Sequence, residues 1–327
     1  MALLLGAPEV ESCAVMADIV NAMEQGLREE AAGHTEIPPR LNIKTPEGFF
    51  RMMGAVLGQS DLLGYKVFHG SIRSGVRYTI AIHRIRGGEL LALMDGAYLT
   101  AVRTGATTGV ATRWMADPSA DTVAVIGSGL EAQENLAGVC AVRPIRRVRV
   151  FSPRKERREA FANRLSQQLG ISIQSFDSPE PCIAGAPIVV VATNTGASQG
   201  IAFRGAWMSP GVHVNSVGST MAAQREVDPD TFHNAAHVVI DTRHAQDESG
   251  DFLEAIRQDK YPFGRAVELS EVVAGRSVGR SAAGQITLFK SVGTALQDIV
   301  GAFAIYNEAS RRGVGRDVGD FPSLRQF

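Results

Sequence analysis

The sequence predicts an α/β fold: a doubly wound parallel sheet of the Rossmann type, together with a second α/β domain. Between residues 121 and 153 an apolar run, a glycine-containing turn, a helical stretch and a second apolar run follow one another. The alternation of short apolar runs with helical stretches then continues to about residue 241, which is the rhythm of βαβ units. These two observations predict that the parallel sheet begins at residue 122.

The glycine-containing turn has the spacing that holds a dinucleotide pyrophosphate. The apolar run Thr122–Ile126 leads into GSGLEA at 127–132. Gly127 permits the tight turn, Gly129 lets the backbone approach the phosphates, and Ala132 lets helix and strand pack closely. Free N–H groups at the helix start then face the anion. A glycine turn that arose by chance is the alternative interpretation, but the preceding strand and the following helix favour a cofactor site. The predicted cofactor contacts in this turn are Gly127, Ser128, Gly129, Leu130, Glu131 and Ala132.

Composition and charge exclude several classes of function. The 327 residues are 45% hydrophobic and 20% charged, which is typical of a globular protein of one or two domains. A net charge of −1 with scattered basic residues predicts no nucleic-acid partner. No apolar stretch approaches the roughly 20 residues of a membrane span, and the Ala2–Leu5 run is too short for a secretion signal. Three cysteines without metal-ligand spacing predict reduced thiols, no metal site and a cytoplasmic location.

Periodicity predicts elements on both sides of the glycine turn. The predicted helices are 8–32, Thr100–Met115, Arg154–Leu169, Leu253–Gln258, Leu269–Val273 and an amphipathic helix over 290–309. The predicted strands are Phe49–Met53, Lys66–Phe68, Tyr78–Arg84, Leu90–Met94, Thr122–Ile126, Val148–Phe151, Ser172–Phe176, Ile188–Ala192, His213–Val217 and Val238–Asp241. Residues 86–89 predict a hairpin turn, and Asp117-Pro118 predicts a domain boundary. The polar tail after Gly313 is predicted to be loose or to form an interface arm.

Several separate stretches resemble the ornithine cyclodeaminase/μ-crystallin family, and their order and spacing cover almost the whole chain. They are Pro38-Pro39-Arg40, Gly64–Val67, Leu93–Gly96, Val102–Ala106, Ile126–Ala132, Val214–Gly218 and Ile286–Gly293. The resemblance implies a substrate-binding and dimerisation domain, 1–118, completed by the C-terminal helix and tail at about 290–327. It also implies a Rossmann dinucleotide-binding domain at 119–289, an active site in the cleft and a homodimer. The family contains cyclodeaminases, amino-acid dehydrogenases, ketimine and imine reductases, opine-type synthases and a dehydratase.

The same resemblance implies that Arg40, Lys66 and Arg103 surround the carboxylate of a small imino or amino acid substrate. An arginine offers a planar fork that binds a carboxylate through two hydrogen bonds. The alternative is that these cations are solvated at the surface. Each lies in an apolar or small-residue setting that matches a family motif, which favours the substrate-binding interpretation.

Thr220 is an informative departure from the family pattern. In the cyclodeaminase and in alanine-dehydrogenase-like members, an aspartate base follows the glycine that aligns with Gly218 by two positions, and here Thr220 stands in its place. A hydroxyl at pH 7 does not take a proton from an ammonium group as a carboxylate does. Thr220 therefore argues against ornithine cyclodeamination. Glu226 and Asp228 are candidate substitute acids, or alternatively caps of the next helix.

These residues predict NAD(P)H-dependent reduction of an α-imino acid, a cyclic ketimine or linear imine, to the α-amino acid. Hydride addition to C=N needs positioning against the nicotinamide and a proton donor if the imine arrives neutral. The predicted catalytic residues are Lys66 as that donor, Arg103 and Thr220. Alternatives are amino-acid dehydrogenase or opine-type reductive amination of a 2-oxo acid, a lyase (ornithine cyclodeaminase or hydroxyproline dehydratase), and a non-catalytic binding protein.

The end of the second predicted strand indicates which dinucleotide binds. An NAD site usually has an acidic residue there for the ribose hydroxyls. Ser152, Arg154 and Lys155 stand there instead, which predicts a preference for NADP(H), with NAD(H) as the alternative. The other interpretation is that both cations are ordinary exposed helix residues. The resemblance implies further cofactor contacts from Thr104, Thr193, Val217, Lys290 and Ser291.

Overall fold

A computed structural model describes residues 2–71, 74–195 and 200–325. The chain forms two compact units: one contains the residues up to Arg103 and those from Thr294 onward, and the other contains Thr104–Gly293. The domain limits from the sequence, 1–118 with 290–327 and 119–289, stay a prediction. In the division by contacts, residues 104–118 belong to the second unit.

The first unit contains a mostly antiparallel sheet. Its strands before residue 104 are β1 (Leu3–Leu5), β2 (Thr35–Glu36), β3 (Leu41–Thr45), β4 (Gly48–Leu57), β5 (Leu62–Ser71), β6 (Gly75–Arg84) and β7 (Leu90–Asp95). Strands β4 to β7 pair antiparallel in sequence order, β2 and β3 pair with β4, and β1 pairs parallel with β7. The predicted hairpin lies between β6 and β7, where the N–H of Arg84 donates to the carbonyl of Glu89 at 3.0 Å. The sequence pattern does not predict β2 and β3.

Three helices precede the second unit or lead into it: α1 (Ala7–Cys13), α2 (Met16–Ala31) and α3 (Ala97–Met115). The predicted single helix over 8–32 is wrong in one respect, because Ala14 and Val15 have extended backbone and divide it. Of the apolar positions spaced along this stretch, Val10, Ile19, Met23 and Leu27 are buried, whereas Val15 at the break is 42% exposed.

The second unit is the predicted doubly wound α/β fold. Its strands are β8 (Thr122–Ile126), β9 (Arg147–Phe151), β10 (Ser172–Ser175), β11 (Ile188–Val191), β12 (His213–Ser216), β13 (His237–Ile240), β14 (Val267–Glu268) and β15 (Thr287–Lys290). Every pair is parallel, in the order β10-β9-β8-β11-β12-β15-β13-β14. The order reverses between β8 and β11, which is the position where ligands of open α/β sheets bind.

Helices cover both faces of this parallel sheet. They are α4 (Leu130–Val142), α5 (Lys155–Leu169), α6 (Pro179–Ile183), α7 (Pro229–Asn234), α8 (Ala245–Glu248), α9 (Gly250–Arg257) and α10 (Leu269–Val273). Alternate residues of β8 enter two different apolar clusters, Val123 and Val125 one, Ala124 and Ile126 the other. Such burial on both faces explains why the strand reads as a continuous apolar run.

Glycines bring α3 and α4 into contact within the second unit. A Cβ added to Gly138 would lie 1.8 Å from the carbonyl oxygen of Gly105. The hydroxyl of Thr108 also donates to the side chain of Asn135. Because the backbones approach this closely, the part of α3 after Arg103 packs with the parallel-sheet unit.

The chain then returns to the first unit through α11 (Ala295–Arg312) and β16 (Arg316–Asp317). The helix predicted over 290–309 begins later, because residues 287–290 form β15, Gly293 has a φ of +82°, and Thr294 caps the helix by accepting from the N–H of Gln297. Helix α11 packs on β4, β5 and β6 and against α2. The sequence predicts a loose tail or an interface arm after Gly313. The start of the tail is not loose, because β16 pairs with β1, and its role in an interface stays a prediction.

Within the described ranges, no helix combines the length and the apolar character that crossing a bilayer requires.

Candidate active site and dinucleotide site

Two of the three predicted carboxylate-binding cations meet on one buried aspartate in the first unit. Lys66 on β5 is 2% exposed, Arg103 on α3 is 5% exposed, and Asp298 on α11 is 0% exposed. The Lys66 Nζ lies 2.7 Å from Oδ2 of Asp298, and the Arg103 Nε donates to Oδ1 at 2.8 Å. Arg103 Nη1 also donates to Oε1 of Gln297 at 2.9 Å. The three charged side chains form one cluster, which we call the Lys66–Arg103–Asp298 cluster.

Asp298 is a site residue that the sequence analysis did not identify. It lies in the first turn of α11, between residues that are buried and apolar, such as Leu296 and Ile299. A carboxylate on the apolar stripe of an amphipathic helix is a signal for a buried, paired charge, because unpaired charges are rarely buried.

The surroundings of Lys66 tune its acidity. Burial lowers the pKa of Lys66 from 10.5 to about 8, and the nearby Arg103 and Arg40 act in the same direction. The carboxylate of Asp298 opposes this shift, both by its charge and by its hydrogen bond. The charge of Arg40 therefore contributes to the electrostatics of the cluster, while its contact with a substrate carboxylate stays a prediction. An ammonium with this pKa is charged at neutral pH and can release its proton to a bound substrate.

An aromatic side chain adjoins the cluster. The Phe68 ring centroid lies 5.3 Å from the Nζ of Lys66 and 5.4 Å from the guanidinium carbon of Arg51. Phe68 follows Lys66 by two residues on β5, so both side chains lie on the same face of the sheet. The ring stacks on Tyr78 with centroids 5.2 Å apart. The cluster thus combines positive charge with an apolar, aromatic wall.

The glycine turn in the second unit has the geometry that a dinucleotide requires. Gly127 has a φ of +133°, and a Cβ there would lie 2.3 Å from the carbonyl oxygen of Ala192. Gly129 is exposed, and a Cβ there would meet no atom within 4 Å, so the space beside it is open. Ala132 is fully buried. Within the described chain no side chain caps the start of α4, so its first N–H groups can receive a phosphate.

The residues that directly follow β9, 152–155, include two exposed cations and no acidic residue, although Arg158 also pairs with the exposed carboxylate of Asp177. Ser152 is buried, and its hydroxyl lies 2.9 Å from that of Ser128 in the glycine turn. Arg154 and Lys155 are exposed at the start of α5. Arg158, one turn further, is buried and donates to the carbonyl of Ser152 at 3.1 Å. The arrangement links the turn to the strand end and leaves positive charge at the surface beside it.

The remaining predicted cofactor residues differ in their exposure. Thr193 follows β11 and Val217 follows β12, at the same ends of the parallel strands as Gly127, and the predicted catalytic residue Thr220 also follows β12. Thr104, Val217, Lys290 and Ser291 are buried. The Lys290 Nζ lies 2.9 Å from Oδ2 of Asp251, and the Ser291 hydroxyl donates to Asp241 at 2.6 Å. Their contact with the cofactor, like that of Leu130 and Glu131 in the turn, stays a prediction.

The two acids considered as substitutes for an aspartate at position 220 have different roles. Asp228 accepts from the N–H of Thr231 at 3.1 Å and so caps α7. Glu226 is fully buried and accepts hydrogen bonds from Thr193, Ser216 and Gly218. The capping interpretation therefore holds for Asp228 but is wrong for Glu226.

The cysteines are free. Cys13 and Cys182 are buried, and Cys140 is half-buried. Burial raises the pKa of Cys140 to about 11 and that of Cys182 to about 12, so neither is a reactive thiolate at neutral pH. Among residues 2–71, 74–195 and 200–325, no group of three or more His, Cys, Asp or Glu side chains is arranged to hold a metal ion.

Known proteins resemble the chain over its whole length. A Δ1-pyrroline-2-carboxylate reductase of Bacillus cereus is 30% identical, covering 97% of this chain and 99% of the relative. The structure of the Thermococcus litoralis Δ1-pyrroline-2-carboxylate reductase with NADH and L-proline superposes with a TM-score of 0.91 at 32% identity, over 97% of this chain and 100% of that one. An archaeal alanine dehydrogenase dimer with bound NAD superposes with a TM-score of 0.89 at 26% identity, covering 98% and 99%. The match to the family extends over residues 2–313, and the chain therefore belongs to the ornithine cyclodeaminase/mu-crystallin family.

Proposed function

We propose that this protein reduces an α-imino acid to the corresponding α-amino acid with hydride from a nicotinamide cofactor. The observation that carries the proposal is the buried Lys66–Arg103–Asp298 cluster, in a chain whose second unit has the dinucleotide turn at 127–132. The relatives named above support it, since two are reductases of a cyclic imino acid and one was solved with NADH and L-proline.

The charge of the cluster suits a substrate with one carboxylate. Lys66 and Arg103 bring two positive charges and Asp298 one negative charge, so the group retains an excess of positive charge. Arg40 adds to that excess, because its positive charge contributes to lowering the pKa of Lys66. A buried positive group attracts and orients a carboxylate more strongly than an exposed one, since water screens it less.

Lys66 is the residue that we propose as proton donor. Its pKa of about 8 places it near neutrality, where a general acid both holds a proton and releases it readily. A neutral imine nitrogen that receives this proton becomes a better hydride acceptor, and the bound cofactor supplies that hydride. Thr220 provides a hydroxyl and no carboxylate, which favours imine reduction over a reaction that begins by deprotonating an amine.

Reductive amination of a 2-oxo acid is the second candidate. The archaeal alanine dehydrogenase structure favours it, because its 26% identity extends over nearly all of both chains. That reaction passes through an imino acid, so the cluster and the dinucleotide turn suit it too, but Thr220 replaces the aspartate that alanine-dehydrogenase-like members have, which weighs against it. The two candidates differ in whether free ammonia or an amine must be supplied. The lyase activities of the family fit less well, because position 220 lacks the acid.

For the cofactor we propose NADP(H) in preference to NAD(H). Exposed Arg154 and Lys155 beside Ser152 offer two cations and a hydroxyl to a 2′-phosphate. The solved relatives were bound to NADH and NAD, so the phosphorylated cofactor needs a direct test here.

We also propose that two copies associate through the outer face of the first sheet. Large apolar side chains on that face are exposed, and the strand register places them together: Leu41, Ile43, Met52, Val56 and Tyr65. Leu41 is 50% exposed and Ile43 48% exposed. An apolar patch of this kind on a folded protein marks an interaction surface, and the archaeal relative was solved as a dimer.

The decisive experiment follows NADPH and NADH oxidation with a panel of substrates. The panel contains five- and six-membered cyclic ketimine carboxylates, and 2-oxo acids with ammonia or methylamine. We expect turnover of the ketimines without added amine. Turnover only when amine is present would favour reductive amination. If no substrate of the panel causes oxidation of either cofactor, while ornithine or hydroxyproline is converted, both imine reduction and reductive amination are refuted.

A further inference from the structure

A fully buried carboxylate, that of Glu226, receives hydrogen bonds from the segments that follow two neighbouring strands. Its Oε2 accepts from the backbone N–H of Thr193 at 3.1 Å and from the Thr193 hydroxyl at 2.9 Å. Its Oε1 accepts from the N–H of Gly218 and from the hydroxyl of Ser216, both at 2.7 Å. Thr193 follows β11, and Gly218 follows β12. One side chain therefore joins the carboxyl ends of both strands.

Two further buried charged residues, Asp251 and Lys290, lie beside Glu226. Asp251, on α9, accepts from the N–H of Glu226 at 2.8 Å and from that of Val227 at 3.2 Å. The Nζ of Lys290, at the end of β15, lies 2.9 Å from Asp251 and 3.6 Å from Glu226. Burial raises the pKa of Glu226, while Lys290 and the hydrogen bonds from Ser216 and Thr193 oppose that shift. Burying two carboxylates with one ammonium costs free energy, which the charge of Lys290 and the hydrogen bonds that Glu226 and Asp251 accept oppose.

The two segments also approach each other closely beside the carboxylate of Glu226. A Cβ added to Gly218 would lie 2.2 Å from the carbonyl oxygen of Thr193 and 2.4 Å from Oε2 of Glu226. Position 218 therefore accepts no side chain while the network is intact. These segments follow the carboxyl ends of β11 and β12. Strand β11 neighbours β8, which leads into the glycine turn, and the strand order reverses between β8 and β11. Ligands of open parallel sheets bind at that edge.

We propose that Glu226 is the positioning residue for the cofactor, holding the segments after β11 and β12 in the shape that receives its nicotinamide end. Lys290 then affects the cofactor through this network, since its ammonium is 0% exposed, forms an ion pair with Asp251 at 2.9 Å and donates to the Ser216 hydroxyl at 3.1 Å. The inference rests on the proposed function in one respect, because it takes the nicotinamide cofactor from it.

The test is the variant Glu226→Gln. It keeps the shape of the side chain but replaces one carboxylate oxygen by an NH₂ group, which cannot accept the hydrogen bonds that this oxygen receives. The dissociation constants of NADPH and NADH are measured by calorimetry without any imino acid. We expect the tighter-binding dinucleotide to bind about tenfold more weakly, since charge-assisted hydrogen bonds that order its site are lost. The KM for the imino acid at saturating cofactor should change by less than about twofold, a split that general destabilisation does not produce.

Glu29→Gln is the matched control. Glu29 in the first unit is also a buried carboxylate that accepts backbone N–H bonds, from Gln59 at 2.7 Å and Ser60 at 3.0 Å. We expect it to lower the thermal midpoint while leaving dinucleotide binding unchanged. If Glu226→Gln does not fold, Ser216→Ala removes one donor from Oε1 at a fully buried site, and about threefold weaker binding is expected.

Unchanged dinucleotide affinity in Glu226→Gln or, if that variant is unfolded, in Ser216→Ala would overturn the inference. Equal weakening in Glu29→Gln would overturn it too. Dinucleotide binding by the parent protein without reduction of any imine would reject the proposed function instead, and weaker binding by the variant would still support the role of Glu226.

Discussion

The ammonium nitrogen of Lys66 lies 2.7 Å from Oδ2 of Asp298, although 232 positions separate the two residues. Lys66 belongs to β5, in the middle of the first sheet, and Asp298 to α11, which packs on that sheet after the chain has passed through the whole second unit. Both side chains are buried, so removing either changes the charge balance of a group that water screens little. That makes the pair a sensitive target for mutation.

Lys66→Met should abolish most of the reductase activity. The variant loses the proposed proton donor and one of the cations that attract the substrate carboxylate. We expect kcat/KM for a cyclic ketimine to fall by about 10²–10⁴-fold, the range of a general acid. Lys260→Met is the control, because Lys260 is a partly exposed lysine paired with Asp230 in the second unit. A Lys66 variant within about threefold of the parent would rule out this role.

The pH dependence of reduction should report the acidity of Lys66. Because its pKa is lowered to about 8, the ammonium is present below that pH and is lost above it. We expect kcat/KM to fall about tenfold per pH unit above pH 8, as for loss of a single acid. A profile that stays flat to about pH 10 would contradict the assignment.

Asp298→Asn should move that alkaline limb toward lower pH. The carboxylate of Asp298 raises the pKa of Lys66 against burial and the neighbouring arginines, so its removal lets the pKa fall further. The measurement is the midpoint of the limb in the variant and in the parent. Asp259→Asn serves as control, since Asp259 is exposed and its positive φ of 54° suits asparagine equally. A limb at the parent position would show that Asp298 does not control this proton.

Arg154→Glu should change the preference between the two dinucleotides. Replacing an exposed cation by an anion at the start of α5 repels a 2′-phosphate and leaves ribose hydroxyls unaffected or better bound. We expect the KM for NADPH to rise about tenfold or more and the KM for NADH by less than about twofold. Arg146→Glu is the control, since it makes the same charge change just before β9, at the opposite end of the strand. Equal rises for both cofactors would remove the basis for an NADP(H) preference.

Val56→Asp should shift the protein from dimer to monomer. Val56 lies on the outer face of β4 with Met52, and an aspartate there would put a charge into the proposed interface. Light scattering coupled to size-exclusion chromatography gives the molar mass in solution, and we expect it to fall toward that of one chain, 34.9 kDa. Val278→Asp, at an exposed site in the second unit, should leave the mass unchanged. A parent protein that is already monomeric would refute the proposed interface.

Local patterns were sufficient where local chemistry decides the structure. The Gly127–Ala132 turn, the apolar β8 before it and α4 after it could be predicted because tight turns, close backbone approach and helix starts depend on residues a few positions apart. The break between α1 and α2 could not, since Ala14 and Val15 are compatible with a continuous helix and tertiary packing decides against it.

The sequence by itself determined the parallel-sheet unit, the family resemblance, and the positions of Lys66, Arg103 and the dinucleotide turn. Only the tertiary structure decided which partner each charge has. It brought Asp298 to Lys66, joined Glu226 to Thr193 and Gly218, and paired the tail with β1 as β16. The physical reason is that the energy of a buried charge depends on what surrounds it in space, and those surroundings come from segments far apart in the chain.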